Sequence, residues 1–564
     1  MNDNQTISGK PRILLVRVPE VELNSVDDIR VTAASGLAVP LGPAYIASVI
    51  RNHGKYEVKI LDLYLDLFET YAHSLDNDKS HMLELTRKAL LDSIEIYRPS
   101  IIGFSALFSF QHNFVSELVN TVKNHHPDIR TYLGGYATIF PKMVMEQMEN
   151  LDVLFIGEAE ATILKVLEEE DKSRDLAHIP RIAYRDHGEI VINNDIPSLV
   201  MDLEEIPLPA FDLLNTARYR EILGRSEFPL LTSRSCPNSC NYCSSKLYSG
   251  RIHRLRNTES VLDEIALLKK EYLLELLYVR DDFFNGNKKH AKDLLRGMID
   301  RKLNISWFDT SSFHANSVDE EFLDLCKASG CIEAIFAVES GAARVLKEVM
   351  NKRVDLDHVK KMAEYCHKID LPLQCYFVIG NPGETKEEIK MTIDFAASIF
   401  AESCVFSIAT PFPGTQYYEL ALEKGFLVHA PENILHMKYM DVNMETENFS
   451  AKWLKDTQYD ANILVNFLGN KCLVSDKNGL EKARIKYGKI FRQYDFHVIA
   501  AIMAGYINIK LGDVEKGNEM FAEAEKLYQN EDVIKAYSKY LTWDTLPTNT
   551  FRKWLQTKRT ELVC

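Results

Sequence analysis

No stretch of the 564 residues stays apolar for the ~18–20 positions a bilayer span requires. The opening "MNDNQTISGKPRILLV" is polar and has no signal-peptide pattern. There is no basic block either: 66 Lys and Arg stand against 81 Asp and Glu, a net charge of −15. That balance disfavours nucleic acid, which is gripped through its phosphates, and an anionic membrane surface. The expectation is a cytoplasmic protein with no transmembrane segment and no nucleic-acid partner. In a reducing compartment, clustered cysteines serve as metal ligands or catalytic groups more often than as disulfides.

What is present is an ordinary globular balance, 46% hydrophobic and 26% charged, in a chain long enough for several domains. Residues 1–171 alternate short apolar strands such as "RILLV", "SIIGFSA" and "DVLFIG" with amphipathic helices. That alternation predicts an open, doubly wound, Rossmann-like α/β domain with its ligand at the strand C-termini. Residues 172–228 read as a linker carrying a β-hairpin, "IPRIAYRDHGEIVIN". Residues 229–430 repeat the α/β pattern in roughly six units, predicting a full or partial β/α barrel. Thr385 and Glu388 have capping-box spacing within it. Residues 431–564 read as mostly helical. "AAIMAGYINIKLGDVEKGNEMFAEAEKLYQ" resembles one tetratricopeptide-type helix pair, which alone cannot bury its face and so predicts a cap on the barrel.

"CPNSCNYC" carries three cysteines, Cys236, Cys240 and Cys243, and no fourth. Structural zinc requires four closing ligands, and the nearest histidine is His253. A redox dithiol requires only two. Buried free thiols have no reason to cluster where a strand runs into a loop. A cubic iron–sulfur cluster ordinarily takes four cysteines; three would leave one iron open to a substrate or cofactor.

With the aromatic Tyr242 just before its last cysteine, the motif resembles that of the radical S-adenosylmethionine superfamily. The resemblance implies a 4Fe-4S cluster whose open iron is chelated by S-adenosylmethionine, and cleavage of that cofactor to a 5′-deoxyadenosyl radical. It extends to later strand ends. Asp281 and Asp282 fall where the family holds the methionine amino group, and Glu339 where a polar side chain meets methionine or ribose. Gly380 and Glu384 lie in "VIGNPGE", which is similar to the glycine motif beside adenine, and "PFPGT" is similar to the sixth strand end. The family often has glycine where this chain has Ser235, a residue that resists positive φ.

Two stretches of the first domain resemble signatures of cobalamin-binding domains: Ser105-Ala106-Leu107, and Gly134-Gly135. With Gly157 these small residues would line the cofactor groove. The family's third signature, which supplies a histidine to cobalt, is missing from "RVPEVELNSVDDIRVTAASGLAVPLG". Over residues 11–428 the chain is similar to cobalamin-dependent radical S-adenosylmethionine enzymes. The resemblance implies cobalamin, S-adenosylmethionine and a 4Fe-4S cluster as cofactors, and an electron donor such as flavodoxin or ferredoxin. The activity implied is methyl transfer from methylcobalamin to an unactivated carbon of a small-molecule or natural-product substrate. The alternative is a non-methylating cyclase or rearrangement enzyme with the same cofactors. A cobalamin- or partner-binding scaffold is a third reading, which the three cysteines and barrel-end motifs oppose. No catalytic side chain is assigned; His314, at a barrel strand end in "SSFHAN", faces substrate or is structural.

Overall fold

The computed structural model describes residues 9–20, 37–72, 79–135, 140–172, 175–193, 199–430, 441–494 and 496–540. Its first five strands are β1 (Arg12–Arg17), β2 (Glu57–Asp62), β3 (Ile101–Ala106), β4 (Arg130–Gly135) and β5 (Val153–Phe155). They pair in parallel in the order β2-β1-β3-β4-β5. β1 and β3 are buried along most of their length because helices cover both faces of a parallel sheet. The helix Leu41–His53 follows β1 and stops at Gly54, whose φ of 80° makes the left-handed turn. The order reverses between β1 and β3, and that switch point is where ligands bind such sheets.

The hairpin placed in the linker belongs to this sheet. β6 (Ile182–Asp186) and β7 (Glu189–Asn193) add to β5 in antiparallel fashion and extend it to seven strands. The physical reason is the free edge of β5, which pairs Phe155 with Ile182. The rest of the linker is packed. Phe211 lies edge-on to Phe228 of the barrel, 5.0 Å between centroids, and the Ala210 amide donates to Ala44 of the first helix at 3.0 Å.

The barrel is partial. β8 (Glu227–Leu230), β11 (Leu276–Val279) and β12 (Ser306–Asp309) form one parallel sheet, and β13 (Ala334–Glu339), β14 (Leu373–Ile379) and β15 (Ser403–Ile408) another. Two isolated bridges join them, Trp307 with Cys331 and Phe313 with Phe336. A short antiparallel pair, β9 (Ser233–Arg234) and β10 (Arg254–Leu255), frames the cysteine loop. The predicted capping box forms at Thr385 and Glu388.

The C-terminal helices serve the barrel. The helix Ala451–Ile463 packs on β15, and the side-chain amide of Asn466 accepts from the Cys404 amide and donates to its carbonyl, both at 2.7 Å. Gln458 caps the Phe406 carbonyl at 2.7 Å. Beyond them, Val498–Lys510 and Val514–Leu527 form the expected helix pair, within a separate apolar core. Among the described residues, no helix is long and apolar enough to cross a membrane. The segment 21–36, most of the histidine-free stretch, lies outside the described residues, as do 431–440 and 541–564 of the C-terminal region.

Candidate active site

The cysteine loop leaves β9 through Ser235, which adopts φ 72°. A serine in the left-handed region is strained by about 1–2 kcal/mol. Hydrogen bonds hold it there. Its hydroxyl donates to the Ser249 carbonyl and accepts from Arg254 at 2.8 Å, and its amide donates to Asp282 at 3.2 Å. Asp282 also accepts from the Ser249 hydroxyl at 2.9 Å and from Tyr248 at 3.3 Å, so this half-buried carboxylate ties the two ends of the loop together.

Asp281 lies deeper than Asp282. It is wholly buried, and its carboxylate accepts from the Thr232 amide at 2.7 Å and from the hydroxyls of Thr232 and Ser233 at 2.5 and 2.7 Å. Both oxygens accept hydrogen bonds on the approach to the cysteine loop, so Asp281 shapes that loop.

The far side of the loop is pinned to the turn after β13. Asn241 donates to Met350 and Val349 carbonyls at 2.9 and 2.8 Å, and Asn351 donates back to Ser239 at 3.0 Å. The turn Val345–Val349 is a π-type widening, a form that collects at functional sites. All three cysteines are half-buried. Burial raises each thiol, Cys243 to about 11, while the Lys352 ammonium pulls Cys236 and Cys240 back down. Among the described residues, no three His, Cys, Asp or Glu are placed to hold a single metal ion. His253 lies tilted against Phe283, 5.6 Å between ring centroids. Three thiols beside a fixed cation fit a polynuclear cluster, which carries its own negative charge from thiolate and sulfide.

Glu339 ends β13 at a register shift and φ 70°. Strain of this kind persists where the surroundings over-determine it. One carboxylate oxygen accepts from both Tyr242, at 3.0 Å, and the buried Lys352, at 2.6 Å. Tyr242 leans on Tyr417 at 6.0 Å, and the Tyr417 amide donates to Asn241 at 3.3 Å. Lys352 had no motif to announce it. His314 meets Phe283 edge-on at 5.4 Å; burial, with the Lys352 charge, lowers it to about 4, so it is neutral at physiological pH.

Gly380 and Glu384 are buried as well. A Cβ on Gly380 would meet Leu454 at 2.3 Å. Glu384 is wholly buried, with Asn381 donating to it twice at 2.9 Å, and burial raises it to about 7. Asn381 in turn accepts from Tyr417 at 2.9 Å. The turn supports the wall behind Tyr242 and packs against the C-terminal helix; neither residue is exposed.

In the first domain, the β3–β4 register sets Ser105 beside Gly134 and Ala106 beside Gly135. A side chain at Gly135 would strike the Ala106 carbonyl at 1.9 Å. Ser105, Leu107, Gly134, Gly135 and Gly157 all line one cleft of about 900 Å³, which runs between the sheet and the helix Leu41–His53. Its apolar floor and small-residue rim suit a large flat ligand with a long tail.

The cleft and the cysteine loop touch. The turn after β5, "GEAEA", carries Glu158 and Glu160 to the β9–β10 pair. Arg234 bonds Glu160 at 2.7 Å and Glu158 at 3.3 Å; Arg254 bonds Glu158 at 2.9 Å. All four side chains are at most 10% exposed. Arg181 donates to the Ile156 carbonyl at 2.8 Å and to Leu247 and Tyr248 carbonyls at 3.2 and 3.1 Å, stapling β5 to the loop.

A cleft at the first sheet's switch point, tied by buried ion pairs to a three-thiol barrel, defines the class: a corrinoid domain joined to a radical barrel. Residues 28–167 match the B12 binding domain and residues 230–396 the radical SAM superfamily. The chain belongs to the cobalamin-dependent radical S-adenosylmethionine enzymes. It is 29% identical over 436 residues, 71% of this chain and 80% of the relative, to cytidylyl-2-hydroxyethylphosphonate methyltransferase of Streptomyces wedmorensis. It is 23% identical over 385 residues, 67% of this chain and 66% of the relative, to anaerobic magnesium-protoporphyrin IX monomethyl ester cyclase of Rubrivivax gelatinosus. Its fold is similar to that of the cobalamin-dependent S-adenosylmethionine radical enzyme OxsB with aqua-cobalamin bound: TM-score 0.63, 16% identity, 98% of this chain and 84% of that one.

Proposed function

We propose that the protein is a C-methyltransferase acting on an unactivated carbon of a small-molecule substrate. The observation that carries this reading is the contact between the small-residue cleft of the first domain and the three-cysteine loop within one chain. When bound, the cluster with S-adenosylmethionine supplies a hydrogen-abstracting radical, and cobalamin carries the methyl group. Cys236, Cys240 and Cys243 would hold the cluster. Tyr242, Glu339 and Lys352 form the polar wall that would orient S-adenosylmethionine, and Asp282 keeps the loop in shape. Ser105, Leu107, Gly134, Gly135 and Gly157 would receive cobalamin. His314, neutral at physiological pH, and Phe283 present an uncharged surface beside that wall, suited to a reacting carbon without charge. An external one-electron donor, of the flavodoxin or ferredoxin type, would act on the protein in the cytoplasm.

The similarity to a cyclase favours one rival, oxidative ring formation with the same cofactors. Anaerobic turnover of the reconstituted protein with methyl-labelled S-adenosylmethionine and candidate substrates separates the two. Labelled product, heavier by one methylene, supports methyl transfer. Deoxyadenosine formed alongside an unlabelled product that has lost hydrogen refutes it.

A further inference from the structure

Arg234 stands two residues before the first cysteine and touches Glu160 on one wall of the first-domain cleft and Tyr45 on the helix that forms the other. Its guanidinium bonds Glu160 at 2.7 Å, and Glu160 lines the cleft on the β5 side. The same guanidinium lies over the Tyr45 ring at 5.3 Å. Tyr45 belongs to the helix Leu41–His53, whose Gly42, Pro43 and Ile46 line the opposite side. A second route runs beside it. Glu158 holds Arg254, Arg254 holds the hydroxyl of Ser235 at 2.8 Å, and Ser235 adjoins Cys236. A third uses Gly157, another lining residue. A Cβ there would come within 2.4 Å of both Arg181 and the Tyr248 carbonyl at the far end of the cysteine loop.

We propose that Arg234 and Glu160 are positioning residues that couple the two cofactor sites, so that filling the cysteine loop preorganises the corrinoid cleft and the corrinoid steadies the cysteine loop. The pairs are buried, so neither partner can shift alone without leaving a desolvated charge behind. Ligating three thiols fixes the loop, which fixes Arg234, which holds Glu160 on one cleft wall and, through Tyr45, the helix behind the other. Coupling between binding sites is reciprocal, and typical values correspond to about 5–150-fold in affinity. The inference rests on the proposed function, since it takes the cleft as the cobalamin site and the cysteines as the cluster site.

The full chain tests it without turnover. Hydroxocobalamin is titrated by absorbance into protein with a reconstituted cluster and into protein stripped by an iron chelator. The expected result is at least about fivefold tighter binding when the cluster is present. Loss of iron to the chelator should slow when hydroxocobalamin is bound. In R234Q and E160Q the affinity ratio should fall toward one, whereas R301Q, a change in an exposed ion pair elsewhere, should keep it. Equal affinities in the unaltered protein overturn the coupling, as does a ratio retained in both variants. If the protein takes up no corrinoid, or no iron dependent on the three cysteines, both this inference and the proposed function fall; uptake of both without coupling removes this inference alone.

Discussion

Replacing Ser235 separates two opposing effects on the cysteine loop. Alanine keeps the strain of φ 72° and removes the hydroxyl, with its bonds to Ser249 and Arg254. Each buried hydrogen bond contributes about 1 kcal/mol, so Ser235→Ala should weaken loop closure by about 2 kcal/mol, roughly 30-fold in the closed-to-open ratio. Glycine loses the same two bonds but releases about 1–2 kcal/mol of left-handed strain, offset by about 0.4–1 kcal/mol of added freedom in the open chain. The net for Ser235→Gly is near 1 kcal/mol, roughly fivefold. Arg254 keeps Glu158 in both cases, so no guanidinium is orphaned. Native-state trypsin cleavage within the loop, where Arg251 is exposed, reads the open population when reclosing outpaces cleavage. Alanine should be cut fastest, glycine next and serine slowest. A glycine variant cut as fast as alanine would refute the strain argument; an alanine variant cut no faster than serine would show that the hydroxyl contributes nothing.

Three further outcomes are expected. Lys352→Met removes the buried partner of Glu339, and breaking such a pair costs about 3–5 kcal/mol; calorimetric titration with S-adenosylmethionine should show weakened binding while the three cysteines still take up iron. Glu384 has a folded-state pKa raised to about 7, so the folded protein holds its proton more tightly than the unfolded chain does. Stability therefore falls as pH rises from the ordinary carboxyl range through 7, by at most about 1.4 kcal/mol per pH unit. Glu384→Gln should flatten that slope in denaturant titrations run at several pH values. Gly380→Ala places a methyl 2.3 Å from Leu454, and pairing it with Leu454→Ala should recover part of the lost melting temperature, a non-additive result expected of touching residues.

The first domain and the barrel were legible because parallel sheets write themselves as apolar runs between amphipathic helices. Cys236, Cys240 and Cys243 were legible because their spacing is local. Ser105 and Gly134 lie far apart in sequence and became neighbours only through the β3–β4 register, which single short motifs cannot state. The hairpin was recognised but misassigned, since nothing in Ile182–Asp186 reveals that β5 has a free edge. Asp281, Gly380 and Glu384 were read by motif as ligand contacts; that all three are buried is a tertiary property which the motifs do not carry. Lys352 and Glu160 were missed for the same reason. A lysine after a helix and a glutamate in a turn are usually solvated, and only folding puts Glu339 and Arg234 against them.

The amide of Asn466 has one more consequence. By giving Cys404 of β15 the paired donor and acceptor that another strand would give, it helps end the sheet β13-β14-β15 at three strands and blunts its edge. The C-terminal helices thus act as a stopper against self-recruitment as well as a lid. A fragment trimmed to the two cofactor-bearing units would carry an open backbone ladder and find its neighbour in another copy of itself.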